Sequence, residues 1–298
     1  MKNTLFSLLT LALLFTSCTK DKEKDKEDNK DYILLQKWTG KHDSKNFQYN
    51  SEDQLIRFGY TNVESGDKEY SYTTITYNNG LPVKAETYLR TGDNTFFRDQ
   101  EVTFKMDGQK RIVQTEVKIF TVDGQLARTN KINFGFSGNR LETITDESDA
   151  ESAYKFKYDV NGNIVSQSYS SVSGGVSLTE KFDATYDNNM SPFAGNGLGM
   201  LIFAAVPNAP FETEHLLSAN NPLQIKWVST RTQKKEAGPD AVNIYTDLYE
   251  YTNTIDAAGV ISGFDYKYSY ENKFNGEVVN TQTNTDKVAI TAVKKQYK

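Results

Sequence analysis

Residues able to do chemistry are scarce in this 298-residue chain, which holds one cysteine, Cys18, and two histidines, His42 and His215. One cysteine allows neither an intrachain disulfide nor a cysteine-based zinc cage. Neither histidine has acids or cysteines at a spacing that makes a metal site or a triad, so both read as ordinary polar or packing residues. Asp159-Val-Asn161-Gly-Asn163 sets oxygen side chains at alternate positions, as a calcium loop does. No acid follows at the distance that closes such a loop, and a hairpin turn explains the run. Glu142, Asp146, Glu147, Asp149 and Glu151 form an acidic cluster that reads as a solvated connection between strands. With 39 acids in the chain, chance alone permits a carboxylate pair suited to glycoside hydrolysis. The chain is therefore expected to be no enzyme and to hold neither metal nor cofactor.

Aromatic residues are the feature with functional reach. Phe264, Tyr266, Tyr268 and Tyr270 alternate with Asp265, Lys267 and Ser269, which puts four rings on one face of a strand. A tyrosine offers an apolar body and a polar tip. Such a row either fills the core of a sheet or makes a concave surface for a lipid chain or a sugar. Phe264, Tyr266, Tyr268 and Tyr270 are therefore the candidate ligand-binding residues.

The elements that must carry this row repeat one pattern from about residue 47 onward. Runs of alternating aromatic or β-branched and polar residues end in Gly, Asn or Asp turns. Clear runs are Tyr70/Tyr72, Val102/Phe104/Met106, Val113/Thr115/Val117/Ile119, Tyr154/Phe156/Tyr158 and Leu223/Ile225/Trp227, with Asn79-Gly80, Asp107-Gly108, Asp123-Gly124 and Asn275-Gly276 among the turns. Asn-Gly and Asp-Gly supply the positive φ of tight hairpins. The fold expected is all-β, a large curved antiparallel meander of serial hairpins, open or a partial barrel, with very little helix outside the signal peptide. Residues 187–222 break the pattern with Pro192, Pro222 and the apolar run 198–206, and are expected to plug the core or to gate a ligand.

At the N-terminus, Lys2, an apolar stretch from Leu5 to Phe15, and then Thr16-Ser17-Cys18 resemble a bacterial lipoprotein signal. The resemblance implies cleavage before Cys18 and lipidation of that residue, although Phe15 stands where the pattern prefers a small aliphatic. Residues 1–17 are then the signal peptide and 18–31 a charged tether. Residues 32–298 make a single β domain. The Lys/Asp/Glu run behind Cys18 is similar to the export signal of surface lipoproteins of Bacteroidota, which implies the outer membrane, surface-exposed, with the periplasmic face as the alternative.

The unit Tyr154-Lys-Phe-Lys-Tyr158-Asp159-Val-Asn-Gly162 also resembles the tyrosine-aspartate repeats of bacterial shell-forming toxins. Signal, tether, hairpins and the elements Tyr186-Asp187 to Phe193 and Ser218 to Pro222 together resemble an uncharacterised Bacteroidota lipoprotein family, a domain of unknown function with a porin-like fold. That resemblance brings no activity and no functional residues.

A net charge of −5 leaves no basic face for nucleic acid. A membrane-spanning barrel is disfavoured because most strands read as shorter than the 9–11 residues a tilted membrane strand needs. The expected function is an envelope-anchored, non-enzymatic lipoprotein whose β domain binds a lipid, a glycan or an envelope protein. The alternatives are a purely structural or interaction module without a ligand, and a carboxylate-based glycoside hydrolase.

Overall fold

In the computed structural model the described residues are 31–296, apart from 63–67, 93–94, 174, 195–196, 206–212 and 236–237. The signal peptide, Cys18 and the tether up to residue 30 lie outside them. Sixteen strands form among the described residues: β1 Asp31–Thr39, β2 Asp43–Tyr49, β3 Leu55–Asn62, β4 Lys68–Asn78, β5 Leu81–Arg90, β6 Phe96–Met106, β7 Ile112–Phe120, β8 Leu126–Ser137, β9 Arg140–Asp146, β10 Asp149–Tyr158, β11 Ile164–Ser173, β12 Val176–Met190, β13 Asn220–Gln233, β14 Ala241–Ile255, β15 Ile261–Phe274 and β16 Glu277–Gln296. Two short helices, α1 Leu198–Ala205 and α2 Thr213–Leu217, lie between β12 and β13.

Every strand pairs antiparallel with its chain neighbours, and β1 pairs with β16, so the sheet is a closed barrel rather than an open or partial one. Closure depends on a strand that alternation hides. Ile33, Leu34 and Leu35 are all buried, and a register shift between Leu35 and Lys37 restores the period only afterwards. β1 already begins at Asp31, whose carboxylate meets Lys294 Nζ at 2.6 Å, one residue before the expected start of the β domain at residue 32.

The hairpins at the end where the chain enters share one construction. An Asn or Asp follows the last inward residue, and its Oδ1 accepts backbone N–H groups inside the turn. Asn50 takes those of Glu52 and Gln54, Asp107 those of Gln109 and Arg111, and Asp256 those of Ala258 and Val260. Asp159 does the same with Asn163, so the calcium-like run is a hairpin turn. Each of these turns is flanked by a register shift. The shifts displace residues that simple alternation puts on the core face. Leu223 is exposed while Pro222 and Ile225 are buried, and Ile112 rather than Val113 is buried. On β4 the core face is Thr73 and Ile75, not Tyr70 and Tyr72. Tyr72 stacks on Tyr88 at 4.9 Å instead.

Two adjacent registers fix the polarity of the wall. Ala85, Val102 and Val117 pair across β5, β6 and β7 and are all buried, whereas Glu86, Glu101 and Lys118 pair on the other face. That outer face carries an ion-pair ladder, with Arg98 bridging Glu86 at 3.3 Å and Glu101 at 3.1 Å, and Lys118 reaching Glu101 at 3.3 Å. The two glutamates would repel each other across the strands without these cations. An apolar inside and a charged outside reverse what a lipid-facing barrel requires. The expectation of short strands does not hold, because β12 to β16 run from 14 to 20 residues. The polarity of the faces, not the length of the strands, therefore weighs against a membrane span.

Candidate functional site

The chain enters, leaves and makes its β12–β13 connection at the same end of the barrel, and that connection folds inward as a floor. Its anchorage is a network of short polar side chains. The Asp187 carboxylate accepts from Asn189 N at 2.9 Å, Asn221 Nδ2 at 3.2 Å and Asn253 Nδ2 at 3.1 Å. Asn163 and Asn220 bond reciprocally, and Ser218 Oγ accepts from Ile164 N while donating to the Tyr186 hydroxyl. The Tyr186-to-Phe193 and Ser218-to-Pro222 elements noted in the sequence thus act as bolts. Between them Leu198, Ile202, Ala204 and Ala205 of α1 are buried, and Phe203 meets Phe134 of the wall. These buried helices plug the barrel.

Beyond the floor, toward the far end, the inner wall of β14 and β15 carries the aromatic row. The register places Tyr251 opposite Tyr266, Tyr249 opposite Tyr268 and Asp247 opposite Tyr270. The ring centroids of Tyr249 and Tyr268 are 4.9 Å apart, those of Tyr251 and Tyr266 6.0 Å, and Tyr245 stacks on Tyr270 at 6.5 Å. Tyr268 donates its hydroxyl to Asp247 Oδ1 at 2.6 Å. On β16, Asp286, Asn284 and Gln282 stand opposite Tyr266, Tyr268 and Tyr270.

The four candidate residues therefore divide. Phe264 is buried among Trp38, Tyr251 and His215 and belongs to the floor. Tyr266, Tyr268 and Tyr270 are half-buried and face the lumen, flanked by amide and carboxylate side chains. Tyrosines from β14 double the row, a pairing across strands that a single run cannot display.

A recess of about 300 Å³ opens beside this ladder, and both histidines line it, together with Asp43, Lys45, Tyr266 and Asp286. The two histidines are 173 positions apart in sequence, so their convergence on one recess comes from the barrel and not from any spacing. Lys45 is buried, pairs with Asp43 at 2.9 Å and has its ammonium 5.6 Å from the Tyr60 ring centre. Burial lowers the Lys45 pKa against the opposing pull of Asp43. His215 sits between Trp38, Tyr251 and Phe264, and its Nε2 has no hydrogen-bond partner among the described residues. Burial, then the charge of Lys45, depresses its pKa to about 4, so the ring is neutral at pH 7.

Asp43 and Asp286 share the space beside Gly40, where a Cβ would lie 3.1 Å from one carboxylate oxygen and 3.9 Å from the other. Asp43 is engaged by Lys45, and Asp286 Oδ1 accepts from Lys287 N at 2.7 Å. Among the described residues no group of three or more His, Cys, Asp or Glu is placed to hold a metal ion. In the acidic cluster, Glu147 pairs with Lys131 and accepts from Gln114, and Asp146 caps its own turn through Ser148.

No family model and no curated protein matches this chain. Among solved structures, a porin-like protein from Bacteroides uniformis is similar over 88% of this chain and 95% of its own length, at 13% identity and a TM-score of 0.49. A structure described as TcdB2-TccC3-TEV is similar over 78% of this chain and 15% of its own length, at 10% identity and a TM-score of 0.26.

Proposed function

We propose that this chain is a non-enzymatic, envelope-anchored binding protein whose barrel lumen takes a glycan. The observation that carries the reading is the doubled tyrosine ladder, half-buried and flanked by Asp247, Asn284, Gln282 and Asp286. Rings bordered by amide and carboxylate oxygens suit a ligand that presents flat C–H faces and many hydroxyls. A lipid chain would offer no partner to the Asn284 and Gln282 amides or to the second oxygens of Asp247 and Asp286, at about 1–3 kcal/mol for each group it buries. The anchor follows from the lipoprotein-like signal and Cys18, and the outer membrane from the charged run behind it. A tether attached where β1 begins would hold the plugged end toward the bilayer and the lumen away from it, so the ligand would come from the medium rather than from the membrane.

Native mass spectrometry of residues 19–298 with glycan and lipid extracts of a Bacteroidota envelope tests this reading. A glycan adduct is expected, weakened tenfold or more when Tyr266 and Tyr268 become Ala in a variant that keeps its melting temperature. A lipid adduct alone, or no adduct, would overturn it, and the latter would leave the interaction module. Shortened glycan products that disappear in Asp286→Asn would instead favour the hydrolase, with Asp43 and Asp286 as its carboxylates.

A further inference from the structure

Farther round the wall, from β8 to β13, a separate recess of about 350 Å³ is lined by Tyr154, Phe156, Gln167, Glu180, Phe203 and Trp227 among others. Its lining contains no lysine, arginine or histidine. Gln167 is only 3% exposed, yet its Oε1 has no hydrogen-bond partner among the described residues. Glu180, opposite Tyr169 and Ser229, brings a carboxylate, and rings of Tyr154 and Trp227 complete the wall. Burial raises the Glu180 carboxyl above its usual range, against the Ser229 hydroxyl that donates to it. Arg231, two residues along β13, is exposed and does not line the recess.

We propose that this recess binds a primary ammonium group carried on an apolar or ring-shaped body. The polar atom awaiting a partner here, Gln167 Oε1, is an acceptor, and the Glu180 carboxylate is met by the Ser229 hydroxyl but by no cation of the lining. A ligand carboxylate would be repelled, a hydroxyl would satisfy Gln167 but leave the Glu180 charge unmatched, and a quaternary ammonium would have no N–H for Gln167. A primary ammonium satisfies both oxygens while the rings supply cation–π attraction. This site does not depend on the glycan reading, since it lies on other strands and is tested with other probes.

Trp38 and Trp227 are the two tryptophans of the chain, so in a Trp38→Phe background the emission of Trp227 reports on the recess. The probes are octylammonium and glucosamine, each beside its neutral counterpart, octanol or N-acetylglucosamine. At least one ammonium is expected to bind saturably and ten times more tightly than its counterpart, and which one does so separates an alkyl amine from an amino sugar. Glu180→Gln should weaken that binding tenfold and Gln167→Met several-fold, without changing the melting temperature. No saturable signal from either ammonium, equal affinity for the neutral counterpart, or binding untouched by Glu180→Gln would overturn the proposal. Should Glu180→Gln fail to fold, the neutral comparison on the parent and the Gln167→Met variant still decide it.

Discussion

Replacing Gly199 with Ala is expected to cost about 3 kcal/mol or more and to lower the melting temperature by roughly 10 °C. Helix propensity alone points the other way, because Ala in a helix interior is better than Gly by about 1 kcal/mol. Contact geometry decides the sign. A Cβ on Gly199 would lie 1.6 Å from the Leu216 carbonyl oxygen and 2.6 Å from its carbon, both backbone atoms of α2. Neither can swing aside as a flexible side chain would, so α1 and α2 must separate. Their separation would strain the Ser191 hydroxyl bond to the His215 carbonyl and loosen the floor beneath the tyrosine ladder. Gly108, in the β6–β7 turn, has nothing within 4 Å of its added Cβ and serves as the control. Gly108→Ala should change stability by no more than about 0.5 kcal/mol. Urea unfolding of the two variants measures both. A Gly199→Ala protein within 1 kcal/mol of the parent would mean that the two helices do not pack this closely.

What could be read in advance follows the range of the interactions. The strands and turns were legible because alternation and Asx-type turn chemistry act over two to five residues. Asp107, Asp159 and Asp256 cap their turns with backbone bonds that reach four residues ahead. Closure was not legible, since it depends on Ile33-Leu34-Leu35 meeting Val293 and its neighbours at the far end of the chain. Bulges explain Leu223 and Val113, each the extra residue that reverses the face on which its neighbours land, whereas Tyr72 lies on the outer face of β4 in unbroken alternation with buried Thr73 and Ile75. The Tyr266, Tyr268 and Tyr270 row was visible as a strand face, but not its doubling by Tyr245, Tyr249 and Tyr251. His42 and His215 in one recess, or Gln167 and Glu180 in another, come together only once the barrel is closed. Sequence spacing holds no trace of either pair.

Acid should destabilise this protein through His215 in a window that the ring's environment defines. Burial among Trp38, Tyr251 and Phe264, with Lys45 adding repulsion, lowers its pKa from about 6.5 to about 4. Between those two values the unfolded chain binds a proton that the folded chain does not. Folding stability is thus fully present above pH 6.5 and falls as the pH drops through the window, by up to about 1.4 kcal/mol per unit and about 3 kcal/mol in all. Below pH 4 both states carry the proton and this loss stops growing. Asp43 and Asp286 also face the recess, but Asp43 is held by Lys45, and aromatic rings rather than carboxylates surround the imidazole. Asp99 and Glu180, whose carboxyls are raised by burial, act in the opposite sense as the pH falls. A comparison with His215→Phe, which keeps a ring among rings, removes their contribution. Urea unfolding at half-unit steps from pH 4 to 7.5 should show the parent losing stability relative to the variant across this range. Parallel pH profiles for the two proteins would mean that the imidazole is not held neutral at the floor of the barrel.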